Sequence, residues 1–244
     1  MPHYLKIAFR NLWKYKTQTL TGIIIAVFAV IWILLWNNRS KGLQELSVVE
    51  DILFIQDIPE GWESLFDGNT LSGWEIVQYG GEGEPYAKNG ILVLPMAVNG
   101  SMTGVCWVGD SLPVNNYVIY YEARRVEGHD IFAGLSFPYG DTFASLILGG
   151  WAGIVNGLSC INGYDASENE TTRLFSLKDN EWYPVQLCVT TDSIRATVGS
   201  DQVVDMATAG KKIHLRGGLM NSGLTLWTYL STGEIRNLRI KKLQ

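Results

Sequence analysis

One imidazole and five carboxyl groups gather in the middle of the chain, within residues 128–173: His129, Asp130, Asp141, Asp165, Glu168 and Glu170. A histidine beside a carboxylate, with more acids close in sequence, is the set that general acid–base chemistry draws on. His129, Asp130, Asp141 and Glu170 are the candidates for that role. The same stretch places Trp151 beside glycines. An aromatic face next to carboxylates is the minimal surface for a sugar, whose C–H faces stack while its rim takes hydrogen bonds. Trp151, Asp165 and Glu168 are therefore candidate ligand-binding residues. A plainer reading stands beside each: Asp130 and Asp141 suit turn positions, Trp151 suits a core or edge site, and residues 165–172 (DASENETT) suit a solvated loop.

Metal chemistry finds little support in the spacing. The three histidines (His3, His129, His214) are scattered, and Cys106, Cys160 and Cys188 form no CxxC pair. Zinc sites need such ligand spacing, so no metal is assigned and no cofactor is read. The cysteines are expected to be three small buried thiols, with one disulfide and one leftover thiol as the other option.

Candidate residues work only where a scaffold holds them, and the chain changes character along its length. Residues 1–36 carry Lys6, Arg10, Lys14 and Lys16 and no acid. The rest holds 15 of the 19 Lys and Arg against all 24 Asp and Glu, a formal −9. A body this acidic excludes nucleic acid as a partner, because phosphate binding needs clustered cations.

Residues 19–36 read TLTGIIIAVFAVIWILLW without a charge. Eighteen helical residues rise about 27 Å, close to the hydrocarbon thickness of a bilayer. Trp32 and Trp36 at one end, with Trp13 and Tyr15 before the other, suit the two interfaces. More cations precede the span than follow it, which places the N-terminus in the cytoplasm. A cleavable leader would want a shorter apolar core and small residues at the cut. The expected organisation is a cytoplasmic amphipathic segment (1–18), a transmembrane helix (19–36), a linker (37–60) and a globular domain (61–244). The bilayer of the inner or plasma membrane is then the first partner, with the domain periplasmic or extracellular.

Beyond residue 60 the period of the pattern shortens. Residues 117–123 (YVIYYEA) and 185–190 (VQLCVT) are β-rich, and 194–198 (IRATV) alternates before the turn Gly199-Ser200-Asp201 returns into 202–204. Residues 224–229 and 235–243 close the chain in the same way. Most of the 26 glycines fall between such runs. Short strands with Gly, Asn and Asp turns predict an all-β antiparallel β-sandwich of the jelly-roll type.

The order of these pieces resembles a known family. "GWESLFDGNTLSGWEI" (61–76) is similar to the opening of the 3-keto-disaccharide hydrolase domain family, and "YAKNGILVL" (86–94) to its next strand. "EWYPVQLCVTTDSIRATVGSDQVVDM" (181–206) and "GEIRNLRIKKL" (233–243) resemble its late hairpin and terminal strand. The resemblance implies a concanavalin- or laminin-G-like jelly roll acting on glycosides oxidised at the third carbon. Their ketone acidifies the neighbouring C–H, so cleavage proceeds by proton abstraction and elimination. Such a site needs a base, an acid at the leaving oxygen and a group on the enolate, often a metal. Where many members carry a mid-domain Glu and a late His, this chain reads 143–148 (FASLIL) and 226–230 (LWTYL), with neither.

The resemblance, together with the apolar span 19–36, thus points to a membrane-anchored carbohydrate-directed domain. A non-catalytic glycan-binding sandwich and an accessory subunit of a membrane protein complex remain beside it. The last draws on "LKIAFRNLWKYKTQTLTGI", which resembles the elbow and first helix of macrolide-exporter-type ABC permeases. Full-length protein should stay with membranes through alkaline carbonate extraction, and a chain starting at residue 61 should leave them. Sedimentation after extraction checks this.

Overall fold

The computed structural model describes residues 60–217, 219 and 223–243. The expected amphipathic segment, span and most of the linker lie outside these residues. Among the described residues the strands are β1 (Glu63–Ser64), β2 (Trp74–Ile76), β3 (Tyr86–Lys88), β4 (Ile91–Leu94), β5 (Met102–Trp107), β6 (Tyr117–Gly128), β7 (Gly134–Tyr139), β8 (Thr142–Gly149), β9 (Val155–Ser159), β10 (Arg173–Leu174), β11 (Tyr183–Val189), β12 (Ser193–Val198), β13 (Asp201–Ala207), β14 (Thr225–Tyr229) and β15 (Ser231–Lys242).

They form two antiparallel sheets. The first runs β13-β12-β11-β6-β15-β4-β3, with β1 also pairing β15; the second runs β10-β9-β8-β7-β14-β5-β2. The late hairpin expected from the sequence is present: Val198 pairs Asp201 across Gly199-Ser200. Gly199 has φ +60°, the conformation a two-residue hairpin loop demands and glycine adopts freely.

Strand β6 runs past the apolar stretch 117–123 to Gly128. Its Glu122 and Arg124 find charged partners on β15, while Arg125 is buried and pairs with Asp179 at 2.6 Å. Glu122 accepts from Arg236 at 2.8 Å and Arg124 donates to Glu234 at 2.6 Å. The pairing of β6 with β15 therefore continues where hydrophobicity falls off.

Inward residues of both sheets make one core, including Ile119, Tyr121, Leu135, Phe137, Leu146, Leu187, Leu226 and Ile235. Two tyrosines of β6 tie the layers together. The Tyr117 hydroxyl donates to Pro138 O at 2.5 Å and that of Tyr121 to Ala133 O at 3.3 Å. Burial pushes both phenols well above their ordinary pKa, so each acts as a neutral donor.

All three cysteines are free thiols, but only Cys160 is buried; Cys106 and Cys188 are half-buried. The expectation of three buried thiols fails for a simple reason. Leu187 and Val189 face the core, so Cys188 between them faces out. Leu146 is fully buried on β8. Leu146→Ala should cost about 2–5 kcal/mol through lost burial and a cavity, read as a lowered midpoint of urea unfolding.

Candidate functional site

Strands alternate, so the second sheet has an outer face that the core does not use. One row of that face reads Cys106, Thr225, Ser136, Ser145, Ser159, each paired with the next across five strands. The four hydroxyl residues are fully buried and make hydrogen bonds rather than face solvent. The Ser136 and Ser145 oxygens lie 3.3 Å apart, and Ser159 donates to Asp165 Oδ1 at 2.8 Å.

The neighbouring row is governed by Trp227, which sits between Gly104 and Gly134. A Cβ on Gly134 would lie 2.5 Å from Cε2 of the indole, so the ring occupies the space that glycine leaves. The indole is 1% exposed, and its N–H donates to Ser136 Oγ at 3.2 Å. Ile131, Ile147, Val155 and Leu219 pack with it, and Met102, Trp151 and Tyr229 adjoin them.

This apolar floor borders a cavity of about 510 Å³, also lined by Gln78, Tyr79, Ser101, Asp130, Trp151, Arg216 and Tyr229. Tyr79 packs against Gly104. Its buried hydroxyl oxygen has no hydrogen-bond partner among the described residues. Burial, with a smaller contribution from Cys106, pushes this phenol up to about 12, so it stays neutral at physiological pH.

Asp130 is buried in the cavity wall. Its main chain exchanges two hydrogen bonds with the Ser231 hydroxyl, at 2.8 and 2.9 Å. Its carboxylate accepts from Ile131 N–H at 2.9 Å and from Ala152 N–H at 3.0 Å. Ala152 belongs to the short turn Gly150–Gly153, where Trp151 has φ +50° and Ala152 φ +60°. Left-handed backbone at non-glycine residues costs of the order of 1–3 kcal/mol each and persists only where the surroundings enforce it. Gly149 and Gly153, at φ +71° and +91°, flank the two.

Trp151 is half-buried, and the Arg216 guanidinium lies 4.9 Å from its ring centre. Arg216 in turn pairs with Asp165 at 3.4 Å. Asp165 also accepts from Ser159 and, at 3.6 Å, from the Cys160 thiol. Burial raises that thiol's pKa, helped by the Asp165 charge.

The structure thus brings Asp130 and Trp151 into one cavity and links Asp165 to it through Arg216. The other candidates lie elsewhere. His129 is exposed in the bend after β6, whereas Asp130 beside it is buried with its main chain tied to Ser231. Asp141 is exposed in the β7–β8 turn, and Glu168 is exposed in the loop after Asp165. Glu170 is also exposed and pairs with Lys211 at 2.7 Å, beside a separate groove. Arg216, Tyr79 and Gln78 carried no sequence signal. Trp227 and Tyr229 did: they alternate with the core-facing Leu226 on β14.

The metal implied by the resemblance does not fit these donors. Both Asp130 oxygens hold backbone amides, and Asp165 is held by Ser159, Cys160 and Arg216. Among the described residues no three His, Cys, Asp or Glu converge.

Two antiparallel sheets with this aromatic-walled cavity on an outer face define a concanavalin-like sandwich. Among solved structures, the Crh5 transglycosylase in complex with NAG is similar in fold, with TM-score 0.54 at 8% identity, over 75% of this chain and 85% of that one. A Parabacteroides distasonis protein provisionally assigned as a glycosyl hydrolase gives TM-score 0.50 at 15% identity, over 76% and 95%. No curated protein matches in sequence. The family model described as the 3-keto-alpha-glucoside-1,2-lyase-like domain matches residues 61–241, and the chain belongs to that family.

Gly134→Ala should displace the Trp227 ring and cost about 1–3 kcal/mol by overpacking. Urea unfolding, together with a changed tryptophan emission maximum, checks this.

Proposed function

We propose that the domain is carbohydrate-directed and that the cavity on its second sheet receives a glycoside of the 3-keto-alpha-glucoside class. One observation carries the reading. Two tryptophans and two tyrosines meet Arg216 and Asp130 around a cavity of about 510 Å³, room enough for a small glycoside. Aromatic walls suit the C–H faces of a sugar, and Gln78, Ser101 and Arg216 supply hydrogen bonds to its oxygens. Family membership favours the 3-keto class, and the solved neighbours named above are consistent with a carbohydrate ligand.

Binding without turnover is the reading these groups support best. Elimination from such a glycoside needs a base at the C2–H, a donor on the enolate oxygen at C3 and a proton for the departing C1 oxygen. Among the described residues Asp130 is the one carboxylate lining the cavity, and both its oxygens already accept amide protons. Family membership favours a second reading, in which Asp130 takes the C2 proton and Arg216 holds the enolate. We also propose that residues 19–36 anchor the domain outside the cytoplasm. An accessory role in a membrane complex would use the same anchor.

Calorimetry with methyl 3-keto-α-glucoside, and with methyl α-glucoside for comparison, tests the proposal. Trp151→Ala should weaken binding of the keto sugar about tenfold or more, with the sugar recovered unchanged by NMR. Affinity indifferent to Trp151 would sink the binding site. Appearance of the C1=C2 unsaturated 3-keto product, lost in Asp130→Asn, would replace binding by the enzyme reading.

A further inference from the structure

The turn that presents Trp151 is costly by itself, since two successive non-glycine residues stand in left-handed backbone, Trp151 at φ +50° and Ala152 at φ +60°. No side chain caps its start. The Ala152 N–H, however, donates to Asp130 Oδ2 at 3.0 Å. The other carboxylate oxygen is bound by Ile131 N–H at 2.9 Å, and the Asp130 main chain is locked to Ser231. Asp130 is thus a fixed acceptor, anchored between β6 and β7, aimed at the one amide that the left-handed turn directs toward it.

We propose that Asp130 is a positioning residue: its carboxylate clamps the Gly149–Gly153 turn in left-handed form and thereby sets the Trp151 ring in the cavity. The inference rests on the sugar-binding reading for its consequence and on the turn's geometry for its mechanism. The clamp also fixes the partner of the ring. Arg216 lies over Trp151 and pairs with Asp165, so a turn released from Asp130 would leave that guanidinium without its aromatic support.

An asparagine cannot serve here. Its Oδ1 could keep the Ile131 bond, but its amide NH₂ would face the Ala152 N–H, donor against donor. Glycine at 152, by contrast, adopts φ +60° without penalty and should hold the turn with no clamp. The two substitutions are therefore coupled, which a direct Asp130–ligand contact would not produce.

The experiment uses full-length protein in detergent, comparing wild type, Asp130→Asn, Ala152→Gly and the double variant. Deuterium uptake at the Ala152 amide should quicken at least about tenfold in Asp130→Asn, because the amide loses its buried acceptor. Affinity for methyl 3-keto-α-glucoside should fall about tenfold in Asp130→Asn, return to within about threefold of wild type in the double variant, and stay unchanged in Ala152→Gly. Unchanged exchange at Ala152 would overturn the clamp. A double variant as weak as Asp130→Asn would assign Asp130 to the ligand instead. Should wild type bind neither sugar, the sugar-binding reading fails, while amide exchange still decides the clamp.

Discussion

The indole of Trp227 over Gly134 is the contact on which the outer face of the second sheet depends. A tryptophan buried there must satisfy its N–H, or the stranded donor would cost about 1–3 kcal/mol. Ser136 supplies the acceptor at 3.2 Å, and it can do so because β14 and β7 pair Trp227 with Gly134 and Thr225 with Ser136. The glycine and the serine belong to one register. A one-residue slip would put Leu135 under the ring and move the hydroxyl away. With the floor filled by Trp227 and Ile147, charged groups stand in the cavity's walls, and they arrive there from loops.

The same alternation that builds this floor builds the core behind it. Leu226, Leu135 and Leu146 point between the sheets, while Trp227, Ser136 and Ser145 point away. The two phenols of β6 then cross the core to main-chain acceptors at Pro138 and Ala133, at either end of β7 and its approach. The strand at the centre of the outer face is therefore held from behind by specific hydrogen bonds as well as by apolar contact. A cavity wall resting on β7 and β14 inherits that rigidity, which lowers the ordering cost of binding.

Much of the sandwich was legible because strand alternation is a local property. The runs at 117–123, 185–190, 194–198 and 224–229 fall on strands to within one residue, and Gly199 marks its hairpin. The site was legible only in part. Trp151 among glycines stood out, and those glycines at 149 and 153 do flank a left-handed turn. Sequence proximity does not report a shared site: His129 and Asp130 part in the bend after β6, only Asp130 lining the cavity, and Glu168 and Glu170 belong to an exposed loop. That loop is ordered by Asn169, whose amide donates to the carbonyls of Leu158, Tyr164 and Asp165. Arg216 reaches the cavity from a segment without strand periodicity, so only tertiary structure could bring it to Trp151.

Among the described residues two charged groups line the cavity, and each is committed before any ligand arrives, in a different way. Arg216 is held from the side by an aromatic face and from behind by Asp165, itself fixed by Ser159 and Cys160. Its remaining donors are still directed by that support. Asp130 has spent its strongest acceptor positions on two main-chain amides. A proton acceptor for carbon acid chemistry must turn a free lone pair toward the C–H, whereas each Asp130 oxygen already accepts a main-chain amide of the fold. A carboxylate engaged in this way on both oxygens suits a strut. The bonds that occupy Asp130 thus give the turn its rigidity, and the cavity's shape follows from them.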